Sequence, residues 1–244
     1  MANWPDPQTG MAAQATTTAG RDVAYDAGLR THMLSVYNYM TSGVLLTGIV
    51  ALLFAQWSGA PAILFGPGIL KYIIMFAPLA FVLVMSFGIN RLSTGTAQIL
   101  YWVFAVAMGL SLSSIFFVYT QGSIALTFFA TAASFASLSL YGYTTKRDLS
   151  GIGTFLIMGV VGLIVASIIN LFWMNDTFSL AIAGVGVLIF AGLTVYDTQK
   201  IKSLYFELRG SDFLGKAAIM GALNLYLDFI NMFLFLLRFM GNRD

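Results

Sequence analysis

Apolar runs of membrane-spanning length recur along nearly the whole chain after residue 33, broken only by short polar or Gly/Pro-rich stretches. The pattern predicts seven spans. They lie at about Tyr39–Trp57, Ile69–Asn90, Ala97–Tyr119, Ile124–Tyr143 and Gly153–Trp173, then from Thr177 onward, and finally at Lys216–Arg238. The sixth stays helical in its pattern to Arg209, where Gly210 is expected to break it. Pro78 falls inside the second span as a candidate kink, and GAPAILFGPG reads as the connection before it. Before the first span, residues 1–22 are small and polar, with no apolar segment behind a basic one. This predicts a flexible tail and not a cleaved signal. The expected organisation is a flexible cytoplasmic N-terminal tail, 1–30, followed by a seven-helix transmembrane domain, 31–244.

Composition turns this pattern into a class. The chain is 59% hydrophobic and 9% charged, whereas soluble domains carry about 25% charged residues. An all-α integral membrane protein follows. The absence of Cys excludes a disulfide framework and thiolate metal sites, and a single His, His32, argues against a histidine-built metal centre. His32 stands just before the first span and is expected at a surface or interface. No basic run suits nucleic acid. With a cytoplasmic N-terminus, Arg21, Arg30, Arg91, Lys146, Arg147, Lys200, Lys202, Arg209 and Lys216 share the inner side. Lys71, Arg238 and Arg243 take the other; a re-entrant last segment would bring Arg238 and Arg243 inside as well, which the charge count favours slightly, but the length of that segment favours a full span. The positive-inside rule favours that orientation. The serines of the third and fourth spans (Ser111, Ser113, Ser114, Ser134, Ser137 and Ser139) are expected to let those helices pack closely inside the bundle.

Candidate chemistry concentrates in the last span, KAAIMGALNLYLDFINMFLFLLR, which carries a carboxylate, Asp228, at its middle. An Asp at the centre of a span costs about 2.5–3.5 kcal/mol on insertion scales, so it should face protein or a wet cavity and is a functional candidate. Asn224, four residues before, and Asn231, three after, share its helical face as a polar stripe suited to hydrogen bonding between helices or to an ion path. One other acid belongs to an apolar span: Asp197, near the cytoplasmic end of the sixth. Two carboxylates about 4 Å apart repel by ~4 kcal/mol at an effective dielectric near 20, so such a pair shares one proton and titrates as a unit. That is the chemistry of a pH sensor. By the apparent ends of the spans Asp197 is the shallower of the two. They meet only if the sixth span continues well past Lys200, or the seventh begins late, near Gly221.

Three segments carry a resemblance: SLYGYTTKRD at Ser139–Asp148, YDTQK at Tyr196–Lys200 and ALNLYLDFINMFLFLLR at Ala222–Arg238. In this order they resemble the Bax-inhibitor family, also called the transmembrane BAX-inhibitor-motif family, and the similarity extends from about residue 30 onward. The resemblance implies a seven-helix bundle whose last helix is central, wrapped by the other six. It also implies a pH-sensitive calcium leak gated by a hydrogen-bonded aspartate pair, carried over here onto Asp197 and Asp228. Arg91, near the end of the second span, corresponds by place to an arginine that latches one aspartate, although NRLSTG shares no motif. An ordinary positive-inside anchor is the other reading of Arg91. Ca²⁺ takes six to eight oxygens, so Asp197 and Asp228 with Asn224 and Asn231 would give at most a weak site, as a conduction path requires. The expected partners are the lipid bilayer, Ca²⁺ and H⁺, with membrane proteins as further candidates. The chain is expected to be a monomer in the bacterial inner membrane. No cofactor is expected, calcium being the transported ion. A proton/cation antiporter using the same pair, and a non-conducting regulator acting through protein partners, are the alternatives. An enzyme is not expected: no Ser/His pair or HExxH string is present.

Overall fold

The computed structural model describes residues 7–242, with side chains from Ala27 to Asn242. Eight helices succeed one another: α1 Pro7–Gln56, α2 Ala60–Phe65, α3 Leu70–Gly88, α4 Thr94–Leu112, α5 Gln121–Thr144, α6 Ser150–Trp173, α7 Asp176–Leu208 and α8 Leu214–Met240. A 3₁₀ segment, Ser113–Phe117, prolongs α4. All except the short α2 are long and apolar enough to cross a bilayer, which gives the seven spans that the pattern predicts.

The helix ends are set by local chemistry. Ser93 Oγ accepts from the Thr96 amide at 3.1 Å, Thr120 Oγ1 from that of Ser123 at 3.2 Å, and Asn175 Oδ1 from that of Phe178 at 2.9 Å. Each satisfies an amide that the first turn leaves without a helical partner. At the other end of α7, Gly210 takes φ +78°, a left-handed conformation that stops the helix where the sequence indicated.

The first span begins earlier than expected. Leu29, Met33, Val36, Met40, Val44, Thr47 and Ala51 are all buried, and their three- and four-residue spacings make one continuous stripe from below Arg30 into the bundle. The mildly amphipathic stretch before Tyr39 is therefore the first part of the span. Of the tail expected at 1–30, residues 1–6 and the side chains of 7–26 lie outside the described residues. Ala27 to Arg30 are helical and continuous with the rest of the first span. His32 is likewise corrected: it is 6% exposed, its ring 5.5 Å from that of Tyr205 on α7. Gly28 makes room for this contact, since a Cβ there would collide with the Tyr205 hydroxyl.

The centre of the bundle is α8. Of its apolar stretch 61% is buried, against 39% for α7 and 11% for α3. Its principal neighbours are α1, α4, α5 and α7, while α3 packs chiefly on α4 and α6 on α7. Four helices rather than six thus enclose it. The outer pair can be richly apolar on every side, because their outer faces meet lipid: Phe155, Met158, Leu171 and Phe172 of α6 are all exposed. The serine expectation holds only in part. Ser113 and Ser139 are buried, but Ser134 and Ser137 face outward.

Close approach depends on glycine at the α5/α7 crossing. A Cβ on Gly142 would stand 2.5 Å from the Val195 carbonyl oxygen and 3.0 Å from Thr198 Cβ, whereas one on Gly162 would meet nothing within 4 Å. Gly142→Ala is expected to lower stability by about 1–3 kcal/mol through overpacking. Gly162→Ala should be neutral or stabilising by up to about 1 kcal/mol through helix propensity. Thermal unfolding of the two variants in detergent measures the contrast, and equal melting temperatures would refute it.

Candidate functional site

The three segments singled out in the sequence meet in space where α5, α7 and α8 pack together, and YDTQK is their hub. Four of its five side chains go to different neighbours, because successive helical positions are about 100° apart. The Tyr196 ring fills the space left by Gly153 on α6. Asp197 faces Asp228 on α8. Thr198 meets Ser139 on α5 at 2.9 Å. Gln199 clamps the turn between α5 and α6, its Oε1 accepting from the Leu149 amide at 3.0 Å and its Nε2 donating to the Arg147 carbonyl at 2.7 Å. Lys200 is exposed, its Nζ 6.0 Å from the centroid of the Tyr196 ring.

The depth mismatch between the two aspartates is resolved by the length of α7. That helix runs past Lys200 to Leu208, so Asp197 stands eleven residues before its end and Asp228 fourteen after the start of α8. At ~1.5 Å per residue these are roughly 17 and 21 Å, close to level in an antiparallel pair. The two carboxyl groups are close enough to interact directly. Asp228 is 4% exposed and Asp197 is half-buried. Asp228 Oδ2 has no hydrogen-bond donor among the described residues. Since a carboxylate only accepts, a hydrogen bond between these two groups requires one of them to carry a proton.

Among the described residues none of the other candidates bonds to either aspartate. Arg91 is exposed in the turn after α3, its backbone amide bonded to the Gly88 carbonyl, and among the described residues it forms no ion pair with either aspartate. Asn231 donates from Nδ2 to the Leu227 carbonyl of its own helix at 2.8 Å, so it does not tie α8 to another span. Asn224 is half-buried on the same helix. No group of three or more His, Cys, Asp or Glu that could hold a metal occurs among the described residues. The aspartate pair therefore offers a cation two carboxylates and little else.

Comparison with known proteins gives the context. The profile of the family described as "Inhibitor of apoptosis-promoting Bax1" matches residues 29–244. The chain belongs to the Bax inhibitor family. The protein RP147 of Rickettsia prowazekii is 47% identical over 228 residues, covering 93% of this chain and 96% of that one. Inner membrane protein YbhL of Escherichia coli K12 is 47% identical over 219 residues, covering 89% and 94%. A Caulobacter vibrioides protein is 44% identical over 236 residues, covering 91% and 93%.

In this Bax inhibitor family protein, α8 is held in register by hydroxyl groups that the sequence did not mark out. Thr47 Oγ1 on α1 donates to the Ala105 carbonyl of α4 at 2.8 Å. Its single hydrogen is thereby used, so the Tyr226 hydroxyl, 2.7 Å away on α8, must donate to it. One threonine thus joins three spans, two residues from Asp228. A second chain links α1, α5 and α7. Thr198 donates to the Thr194 carbonyl at 2.7 Å, so Ser139 donates to Thr198 and Tyr37 to Ser139, at 2.9 and 2.7 Å. These residues escape a search for charge, because isolated Thr and Tyr are common in spans. Only their partners distinguish them.

The two ends of the Thr47 link should respond unequally. Tyr226→Phe removes one donor and leaves Thr47 bonded to Ala105, at a cost of about 0.5–1.5 kcal/mol, whereas Thr47→Val strands a buried hydroxyl and should cost about 1–3 kcal/mol. Thermal unfolding of both variants decides it: a larger loss for Tyr226→Phe would contradict the assignment of donors.

Proposed function

We propose that this protein is a pH-sensitive leak for Ca²⁺, controlled by the proton shared between Asp197 and Asp228. The observation that carries the reading is the direct facing of two carboxyl groups from adjacent spans, one of them at the heart of the most enclosed helix. Removing the shared proton sets like charges against one another. At about 4 Å and an effective dielectric near 20 the repulsion is ~4 kcal/mol, enough to shift a two-state helix packing by roughly a thousandfold or to draw a divalent cation between the groups. Two carboxylates with few further oxygens hold Ca²⁺ weakly, and weak holding suits an ion that must also leave. The protein works without a cofactor or catalytic step in this reading. Its place is the inner membrane of a bacterium, as the name of the Escherichia coli relative suggests, with the N-terminus on the cytoplasmic side by the positive-inside count.

An acidic group outside the spans supplies a control. Asp148 Oδ1 accepts from the Ser150 amide at 2.9 Å, and this bond holds its carboxyl below the usual carboxylate range. A group lowered in the folded state contributes its bond above the range in which the unfolded chain protonates. It loses that contribution only as pH falls through the lower folded value, so it is silent near neutrality.

The test is Ca²⁺ flux across vesicles containing the full chain. Flux is expected to depend on pH near neutrality, to lose that dependence in the Asp197→Asn/Asp228→Asn double variant, and to keep it in Asp148→Asn. An unchanged profile in the double variant would defeat the gating mechanism. Uphill cation movement driven by an imposed proton gradient would replace the leak with an antiporter, and an absence of flux at every pH would favour a non-conducting regulator.

A further inference from the structure

A large cavity lies apart from the aspartate pair. It is a space of about 910 Å³ between α1 and α5 that opens sideways, lined by residues from Arg30 to Leu45 on α1 and from Phe128 to Tyr143 on α5, with Phe229 of α8 as part of its floor. Leu34, Leu45 and Leu140 on its edges are exposed at 51%, 56% and 63%. In a bilayer such an opening leads to hydrocarbon.

We propose that this groove binds one anionic phospholipid of the surrounding bilayer, an acyl chain lying between α1 and α5 and the headgroup at Arg30. Length is the first argument. Fifteen residues of α1 separate Arg30 from Leu45, roughly 22 Å at ~1.5 Å each. One leaflet of a ~30 Å hydrocarbon core is about 15 Å deep. The groove therefore reaches from the headgroup level through a whole leaflet.

Charge is the second argument, and it selects the headgroup. Among the described residues no Asp or Glu lines the groove, and the one charged lining residue among them, Arg30, is exposed at the end where α5 finishes. At that end Lys202 donates to the Tyr143 carbonyl at 2.7 Å and sits 5.7 Å from the centroid of the Tyr143 ring, itself a wall of the groove. Lys146 and Arg147 stand in the adjoining turn. Basic pockets between spans on the cytoplasmic side are the setting in which anionic lipid headgroups are held.

The lining also argues against a peptide. A peptide backbone needs hydrogen-bond partners, and the hydroxyls deepest in the groove are already engaged: Tyr37 donates to Ser139, and Ser139 to Thr198. An acyl chain asks for none. The floor at Phe229 adjoins Asp228 and the Ser139–Thr198 link adjoins Asp197, so an occupant would brace the helices that carry the pair. The proposal itself does not depend on the protein conducting calcium.

Native mass spectrometry of the full chain in detergent tests it, with phosphatidylglycerol and phosphatidylcholine of identical acyl chains offered in separate arms and palmitate in a third. Phosphatidylglycerol should be retained about fivefold better than phosphatidylcholine, the gain one cation provides near an anionic group. Arg30→Gln should abolish that preference, and Ala136→Trp, which fills the groove, should lower retention of both lipids. Arg30 is exposed, so its variant carries the test even if the tryptophan variant does not fold. Equal retention of the two lipids by the wild-type chain would overturn the proposal, as would an unchanged preference in Arg30→Gln. Palmitate held as well as phosphatidylglycerol, with the same dependence on Arg30, would overturn the phospholipid in favour of a fatty acid. A dimer that disappears in Ala136→Trp while lipid retention does not change would overturn it in favour of a second copy.

Discussion

A carboxyl group halfway along a span has no stable place against hydrocarbon, and the cost of leaving it there falls on the whole helix that carries it. Asp228 occupies that position in α8, and the rest of the bundle is arranged so that it never meets lipid. Four helices surround α8, and the one facing Asp228 brings a second acid of its own. Two acids meeting where one of them is buried are best tolerated together while a proton lies between them. In the function proposed above, the interaction that lets α8 sit in the centre is also the one that would make its seat sensitive to protons.

Holding such a contact requires that α7 and α8 keep their register, and among the described residues no ion pair does this at the aspartates. The work falls to short-range contacts. Thr47 joins α1, α4 and α8 through Tyr226, two residues from Asp228, the Tyr37–Ser139–Thr198 chain fixes α5 and α1 against α7, Gly142 lets α5 close on the backbone at Val195, and Gly153 lets α6 close on the Tyr196 ring. Hydrogen bonds between membrane helices average only ~0.6 kcal/mol each, and small residues add close van der Waals contact. Individually weak ties of this kind fix a geometry while leaving it open to displacement by a few kcal/mol of electrostatic repulsion.

The bundle is also uneven around its centre. On one flank α4 carries α3 and α7 carries α6, so α8 lies two layers deep, whereas between α1 and α5 only an apolar groove separates the floor residue Phe229 from the bilayer. As proposed above, lipid and protons would act on the same central helix at the neighbouring residues Phe229 and Asp228, a physical basis for regulating a single helix packing by two unrelated signals.

The sequence by itself determined everything that depends on neighbours along the chain. Span number and approximate ends come from apolar length, the stop at Gly210 from backbone freedom, and the singling out of Asp197 and Asp228 from the cost of charge in an apolar run. The family was legible too, because three short segments keep their order. Tertiary structure alone decided which faces meet. His32 looks interfacial in a one-dimensional reading yet is buried against Tyr205, since the stripe begun by Leu29 carries it inward. Asn231, apparently glue, bonds to its own helix. Arg91 stands in an exposed turn away from the pair, and the aspartates come level only because α7 outruns its most apolar part. The reason is common to these cases: hydropathy is a local sum along one helix, while burial, register and the groove between α1 and α5 are properties of pairs of helices far apart in the chain.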